Sequence, residues 1–166
     1  MGVLAAKLRF YFNATIEGSN DIKKPVFEPA MEKILAYADG VGGGQFDRSF
    51  FDTRQTAGND DLDLAGGVTD PITGQAITFA EIVALIIMAK STNTANLLVG
   101  GGTNPWAAPW GAAGDILKVP PNGLLALFSH DANGLGAVVA GTGDILRIAA
   151  AAGTLDYDIG ILGRSA

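Results

Sequence analysis

The feature that most constrains this chain is the regular alternation of short apolar segments and turns after residue 113. These segments recur at intervals of roughly eight to twelve residues, and glycine, proline or asparagine stands between them. Spacing of this kind is typical of antiparallel sheets that fold on themselves, and not of strands that alternate with helices. The pattern therefore predicts an all-β fold, an antiparallel β-sandwich of the jelly-roll kind with an extended N-terminal arm.

One part of this alternation occurs twice, as GDILKV at residues 114–119 and as GDILRI at residues 143–148. In each copy a glycine turns the chain, and the aspartate is expected to bond the backbone of its own turn before the apolar residues begin a strand. A calcium-binding β-roll would need G-x-G-x-D in series, which neither copy has. The repeat therefore predicts two equivalent strand starts, at Asp115 and Asp144.

The N-terminal part of the chain differs from the rest. Residues 8–16 alternate strictly between apolar and polar side chains, which predicts a half-buried strand. Residues 17–29 are polar and broken by prolines, so they predict a loop or an extended arm. Residues 30–40 fit a short helix and a strand about equally well, and the glycine-rich residues 41–45 predict a flexible hinge. The predicted domains are an N-terminal strand and arm, residues 1–45, and a β-sandwich body, residues 46–166.

The body is expected to begin with a strand in which aromatic and polar residues alternate. Residues 59–74 are rich in turn formers around one short strand, Leu62–Ala65. A capping-box pattern from Thr78 to Glu81 predicts one helical turn that leads into a fully buried strand at residues 82–90. Residues 96–102 are expected to return as the hairpin partner of that strand.

Composition limits the kinds of partner. The formal net charge of −6 argues against nucleic acid, because phosphate binding needs clustered basic residues. Only 17% of the residues are charged and the mean hydropathy is +0.28, so we expect other protein chains to cover part of the surface. The longest apolar run, Ile82–Ala89, is too short to cross a membrane. The chain has no cysteine, which excludes disulfides and thiolate zinc sites.

Few residue clusters are suited to catalysis or metal binding. The run Ser129–His130–Asp131 contains the only histidine, but adjacent residues point in different directions and cannot form a catalytic relay by themselves. The acidic residues 60–63 match an EF-hand loop poorly, since Ala65 and Ile72 stand where ligands are needed. A solvated turn is the simpler interpretation and a bound cation is the alternative. We predict no catalytic, cofactor-binding or metal-binding residues, and no enzymatic activity.

Aromatic residues are the candidate contacts with a partner. Two of them repeat in the segment PWAAPW, where exposed tryptophans can anchor an interface or bind a sugar, and buried ones can close the end of a sandwich. Interface contact and core closure are equally compatible with this segment, and sugar binding is the weaker alternative. The predicted contact residues are Phe10, Phe12, Phe27, Tyr37, Trp106 and Trp110.

Several short landmarks run through residues 46–166. They are D-T-R, then D-L-D-L-A-G with a T-D turn, T-F-A-x-I, V-G-G, a G-D-x-L strand and a final Y-D-I-x-I-x-G. On these landmarks the segment resembles a family of small proteins encoded among the head and tail structural genes of tailed bacteriophages. Family members often carry a strand near the N-terminus, which favours a strand at residues 30–40. Pro25 and Pro29 depart from the family pattern.

The resemblance implies a virion structural protein without catalysis, and most specifically a decoration or cement protein on the capsid surface. Its implied partners are the major capsid protein and further copies of itself in a homotrimer, with no nucleic acid, membrane or cofactor. Residues 1–45 would act as an arm that adds a strand to the sheet edge of a neighbour. The alternatives are a tail, neck or fibre component and, from a different class, a carbohydrate-binding adhesion module.

Overall fold

The computed structural model describes residues 5–17, 26–70 and 73–166, and every regular element in them is a β-strand. The predicted all-β class is confirmed. No helix in these residues is long and apolar enough to cross a membrane. In chain order the strands are β1 (Ala6–Asn13), β2 (Ile16–Glu17), β3 (Val26–Phe27), β4 (Ala30–Asp39), β5 (Gln45–Phe46), β6 (Arg48–Thr56), β7 (Asn59–Asp63), β8 (Ala65–Thr69), β9 (Ala76–Thr78), β10 (Glu81–Ala89), β11 (Leu97–Gly100), β12 (Ile116–Val119), β13 (Leu124–Phe128), β14 (Gly136–Ala137), β15 (Ile145–Ala150) and β16 (Leu155–Arg164).

Two antiparallel sheets form the body. The first has the strand order β13-β10-β16-β6, with β14 also paired to β10, and the second has the order β12-β11-β15-β7. Their inner faces share one apolar core, which takes Leu85 and Ile159 from the first sheet and Val99 and Ile148 from the second. Two sheets that enclose a common core make a sandwich, so the predicted antiparallel β-sandwich is confirmed.

The chain crosses between the two sheets several times, because β6, β10 and β15 are each followed by a strand of the opposite sheet. The prediction that residues 96–102 pair with the preceding strand is therefore wrong, since β11 pairs with β12 and β15. The side chain of Asn93 fixes the crossing segment by exchanging two hydrogen bonds of 2.8 Å with the backbone of Asp156.

The predicted helical turn before β10 is also wrong. The backbone N–H of Phe79 donates to the carbonyl of Leu64 at 2.9 Å, and that of Ala80 donates to the carbonyl of Arg164 at 2.7 Å. Phe79 is buried in the core. Because neighbouring segments already satisfy these donors, the chain gains nothing from the capping interactions that would start a helix. The predicted burial of β10 itself is confirmed for most of its residues.

The predicted short strand at residues 62–65 is the junction of two strands. β7 pairs with β15 and β8 pairs with β9, while Leu64 between them is fully buried. The acidic residues 60–63 therefore lie on a paired strand, and their interpretation as a solvated turn is wrong. Because successive side chains of a strand point to opposite faces, Asp61 and Asp63 lie on one face of the sheet and Asp60 lies on the other.

The repeated segment occupies equivalent places in the fold. β12 and β15 both pair antiparallel with β11, one on each side of it. Asp115 accepts a hydrogen bond from the backbone N–H of Ala112 at 2.9 Å, and Asp144 accepts one from the backbone N–H of Gly141 at 2.5 Å. Each aspartate thus bonds the residue three positions earlier, which confirms the prediction of two equivalent strand starts.

The N-terminal residues form a long two-stranded ribbon. β1 pairs with β4 over eight residues, and β2 pairs with β3 in the same register further out. Residues 30–40 are thus mostly strand, and the helical alternative is wrong. Here the paired β1 strand decides between two local patterns that the sequence supports equally. We call β1, β2, β3 and β4 together the arm ribbon.

The arm ribbon joins the body through a small second core. After β4 the residues 41–44 make a turn, and β5 then runs parallel to the end of β4. Tyr37 and Phe46 pack there against Val83, Ala84 and Leu162, which lie on the side of the first sheet that faces away from the sandwich core. The base of the arm ribbon thus covers one end of that side.

Candidate protein interface

The arm ribbon has two chemically different faces. The register places Leu8 opposite Leu35, Phe10 opposite Lys33 and Phe12 opposite Met31, so these six side chains share one face. Lys33 is the one charged residue among them. We call this the apolar ribbon face. The same register extends to Phe27, which lies opposite Ile16.

The opposite face of the ribbon is more polar. Arg9 pairs there with Glu32 at 2.7 Å, and its guanidinium lies 5.7 Å from the centre of the Tyr11 ring. Tyr11 and Ile34 remain exposed on this face. Water can solvate this ion pair, so covering this face with a partner would gain less free energy than covering the apolar ribbon face.

Among the residues that the structure describes, only the base of the apolar ribbon face is covered. Leu8 and Leu35 pack partly buried against the second core. Further out, the predicted contact residues Phe10, Phe12 and Phe27 are exposed by 49%, 43% and 65%. An apolar stripe of this size outside the body is uncommon on a protein that works alone.

Tyr37, another predicted contact residue, belongs to the core of this chain. Its hydroxyl donates to the carbonyl of Ser129 at 2.8 Å, and its ring lies 5.1 Å from the imidazole of His130. Burial raises the pKa of the Tyr37 phenol, and the charge of Arg164 partly offsets the rise. The role of Tyr37 in this chain is to attach the arm ribbon to the body.

The single histidine serves the same attachment. Nε2 of His130 lies 2.7 Å from the carbonyl oxygen of Ala36 on β4. Ser129 bonds the backbone N–H of Asp131 instead of the imidazole, at 3.2 Å. The geometry therefore assembles no Ser-His-Asp relay at residues 129–131.

Arg164 is the anchor of this junction, and the sequence analysis missed it. Its guanidinium is fully buried and lies 2.7 Å from the carboxylate of Glu81. It also donates to the carbonyls of Asp131, Ala132 and Gln45. One side chain thus joins the end of β16, the start of β10, the arm junction and a loop. An arginine at the end of an apolar strand is the only sequence signal for such a role.

The first sheet exposes an apolar surface on the side away from the sandwich core, beyond the base of the arm ribbon. Leu124 on β13, Met88 on β10 and Phe51 on β6 are between 45% and 61% exposed. Gly160 lies between them without a side chain, and a Cβ there would meet the Phe51 ring at 2.9 Å. Asp158 carries the negative charge of this row. We call this surface the outer sheet face; it comprises Phe51, Thr53, Ile86, Met88, Leu124, Ala126, Phe128, Asp158 and Gly160.

Two shallow pockets lie on the outer sheet face. One, of about 290 Å³, is lined by Phe51, Met88 and Gly160 among others. The other, of about 370 Å³, lies between Phe10 of the apolar ribbon face and the β13 side chains Leu124, Ala126 and Phe128. The ribbon and the sheet therefore form the two walls of one apolar groove.

The two tryptophans occupy different environments. Trp106 is 1% exposed, and its Nε1–H donates to the carbonyl of Ala137 at 3.1 Å, so it closes the core. Trp110 is partly buried and meets the Trp106 ring edge to face at 6.5 Å. Its buried Nε1–H has no partner among the described residues. It also lines a pocket of about 290 Å³ with Ile116 and Leu117, but Trp106 offers that pocket no exposed ring for a sugar.

Arginines and a tyrosine bind the acidic cluster. Asp60 accepts hydrogen bonds from Arg54 at 2.7 and 2.9 Å and from the Tyr157 hydroxyl at 2.6 Å, while Asp61 accepts two from Arg147. Burial alone would raise the pKa of Asp60, but these hydrogen bonds outweigh it and lower that pKa. Within the described residues, no group of three or more acidic or histidine side chains is arranged to hold a metal ion.

Comparison of the chain with protein-family models, with curated proteins and with solved structures finds no match. The site must therefore be interpreted from its own chemistry. The structure brings Phe10, the base of the arm ribbon and the outer sheet face together around one groove. Trp106 does not line that groove, because it is buried in the sandwich core. The outer sheet face is a second element that the sequence analysis missed, because the apolar run of β10 hides which alternate residues point outward.

Proposed function

We propose that this protein is a structural component of a tailed-bacteriophage virion, and specifically a decoration protein on the outside of the icosahedral head. In this role it binds the major capsid protein, forms a homotrimer and stabilises the shell by bridging capsid subunits. The observation that carries the proposal is that the described residues leave large apolar side chains exposed on both the apolar ribbon face and the outer sheet face. Surfaces of this kind are used by proteins that work inside assemblies.

The order of strands is compatible with this role. The strand orders β13-β10-β16-β6 and β12-β11-β15-β7, with repeated crossings between the two sheets, are compatible with a double Greek key. Such double-sheet jelly rolls recur in viral capsid domains and in lectins. A fold of this kind supports the proposal without selecting one function, because one architecture hosts many functions.

The arm ribbon provides a second means of attachment. β1 is the edge strand of its sheet, so its outer backbone groups are free to pair with a strand of another protein. A capsid subunit with an exposed sheet edge would extend the ribbon by strand addition. The runner-up, a tail, neck or fibre component, uses the same surfaces at lower copy number. The carbohydrate-binding alternative is less well supported because Trp106 is buried.

Copy number per particle tests the proposal most directly. We expect hundreds of copies in purified virions, in fixed ratio to the major capsid protein, as measured by quantitative mass spectrometry. About a dozen copies would place the protein in the neck or tail, and absence from the particle would overturn both virion assignments. The counts follow from the symmetry of a shell and of a portal.

A shortened arm tests the means of attachment. In the register of the ribbon, Tyr11 lies opposite Glu32, so a two-residue Asn-Gly turn can replace residues 12–31 and close the hairpin. We expect the body to keep its thermal unfolding temperature, while binding to purified heads falls by roughly a hundredfold. Undiminished binding by a folded variant would show that the arm is not the attachment element.

A further inference from the structure

We infer that the outer sheet face is the docking site for the arm ribbon of a second copy of this chain. The chain displays this type of contact within itself, because the base of the apolar ribbon face packs on one end of the same side of the first sheet. Further out, Phe10 and Phe12 of the ribbon are exposed, and so are Phe51, Met88 and Leu124 of the sheet, whereas Ile86, Ala126 and Phe128 are half-buried. This inference rests on the self-association in the proposed function, but not on the virion assignment.

The two surfaces match in chemistry. The apolar ribbon face presents Phe10, Phe12 and Met31 with Lys33 among them, and the outer sheet face presents Phe51, Met88 and Leu124 with Asp158 among them. Both surfaces are therefore largely apolar with one charged side chain within the apolar area. Hydrogen bonds from Lys90 and Thr53 lower the pKa of Asp158, and Lys90 pairs its charge within the chain. The match between the two surfaces is therefore one of apolar side chains.

The groove also has a suitable shape. Its ribbon wall carries Phe10 and its sheet wall carries Leu124, Ala126 and Phe128, so the space between the chain's own ribbon and β13 is lined by apolar side chains. The neighbouring pocket at Phe51, Met88 and Gly160 continues the apolar surface across the sheet. A second ribbon laid along this surface would bury exposed aromatic rings on both sides.

A ribbon that docks on a different surface of its neighbour makes a head-to-tail contact. Contacts of this kind close into rings when the rotation between copies allows it, and a ring of three is the trimer of the proposed function. The same geometry makes a strong experimental prediction, because each contact needs one intact ribbon and one intact sheet face.

Two double variants separate the two halves of the contact. The ribbon variant is Phe12→Asp with Met31→Lys, and the face variant is Met88→Lys with Leu124→Asp. Both pairs lie directly opposite each other on neighbouring strands, so the new charges attract and preserve strand pairing. Their matched controls are Tyr11→Lys on the other ribbon face, where Glu32 lies opposite, and Ile116→Asp on the second sheet, at residues that are similarly exposed.

Sedimentation velocity over micromolar concentrations measures the outcome, with circular dichroism as the test of folding. We expect the wild type and both controls to form the same oligomer, and each double variant to associate roughly a hundredfold more weakly. An equimolar mixture of the two double variants should form dimers and nothing larger, because only one productive contact remains.

Three results would overturn the inference. They are a monomeric wild type, double variants that associate like the wild type, and a mixture that stays monomeric when each variant is monomeric alone. A monomeric wild type that is still present in hundreds of copies per virion would leave the decoration role standing without self-docking. Conversely, head-to-tail association of a protein absent from virions would support the docking and remove the decoration role.

Discussion

The arm ribbon and β10 show how similar apolar content leads to different exposure. In the arm ribbon, apolar residues alternate along β1, and beyond Leu8 both faces are largely exposed. In β10, nearly every residue is apolar and the strand is covered on both sides over its first half. The body packs against both sides of β10, but it leaves the outer part of the arm ribbon exposed. The difference teaches that apolar content does not by itself decide burial: a strand is buried only where other elements pack on its faces, and the following predictions test how far this separates the two regions.

The largest expected effect is on the stability of the body when Trp106 is replaced. Trp106→Ala should lower the free energy of unfolding by about 3–5 kcal/mol, because it leaves a cavity and the core cannot collapse around it. Urea denaturation measures this loss. Phe12→Ala is the matched change in the ribbon, and for the isolated chain it should stay within about 0.5 kcal/mol. Equal losses would mean that the ribbon is part of the folded core.

The junction between the two regions should be nearly as sensitive. Arg164→Met removes a fully buried cation and leaves Glu81 and three carbonyls without their donor, so we expect a loss of about 3 kcal/mol in chemical denaturation. Arg48→Met is the control, because the ion pair of Arg48 with Asp47 is exposed and contributes less than about 1 kcal/mol. A loss for Arg164→Met no larger than for Arg48→Met would contradict the anchoring role.

The smallest effect concerns pH and lies within the body. The pKa of Asp60 is lower in the folded chain than in an unfolded one, so its contribution to stability is present above the unfolded value of about 3.9 and is lost as pH falls through the folded value. Asp60→Asn should therefore reduce stability at neutral pH and flatten its dependence on pH below about 4. Thermal unfolding across that range measures both. Asp61→Asn, at a more exposed ion pair, should change the profile less.

The sequence predicted those parts of the fold that depend on contacts between residues close together in the chain. The Asp115 and Asp144 turns were predictable because each aspartate bonds a backbone group only three residues away. The capping-box and hairpin predictions failed because the decisive partners are distant in sequence. Ala80 bonds Arg164, and β11 pairs with β15. Residues 30–40 were ambiguous for the same reason, since β1 determines their structure.

The candidate site was predictable only in part. Phe10, Phe12 and Phe27 could be proposed because aromatic residues in a polar arm stand out in the sequence. Met88 and Leu124 could not, because each lies in an apolar run where sequence alone does not show which residues point outward. The buried role of Arg164 depends on four acceptors that the fold brings together from separate segments.

The position of β16 has a consequence for how the chain acquires its structure. β16 lies in the middle of the first sheet, between β10 and β6, and pairs with residues 48–56 from residues 155–163. During synthesis, β6 cannot be joined to β10 in one sheet until β16 has been made, although β10 can already pair with β13. Pairing over such long separations slows folding. The arm ribbon, by contrast, is built from local hairpin contacts between β1 and β4, so it can pair before the first sheet of the body is complete.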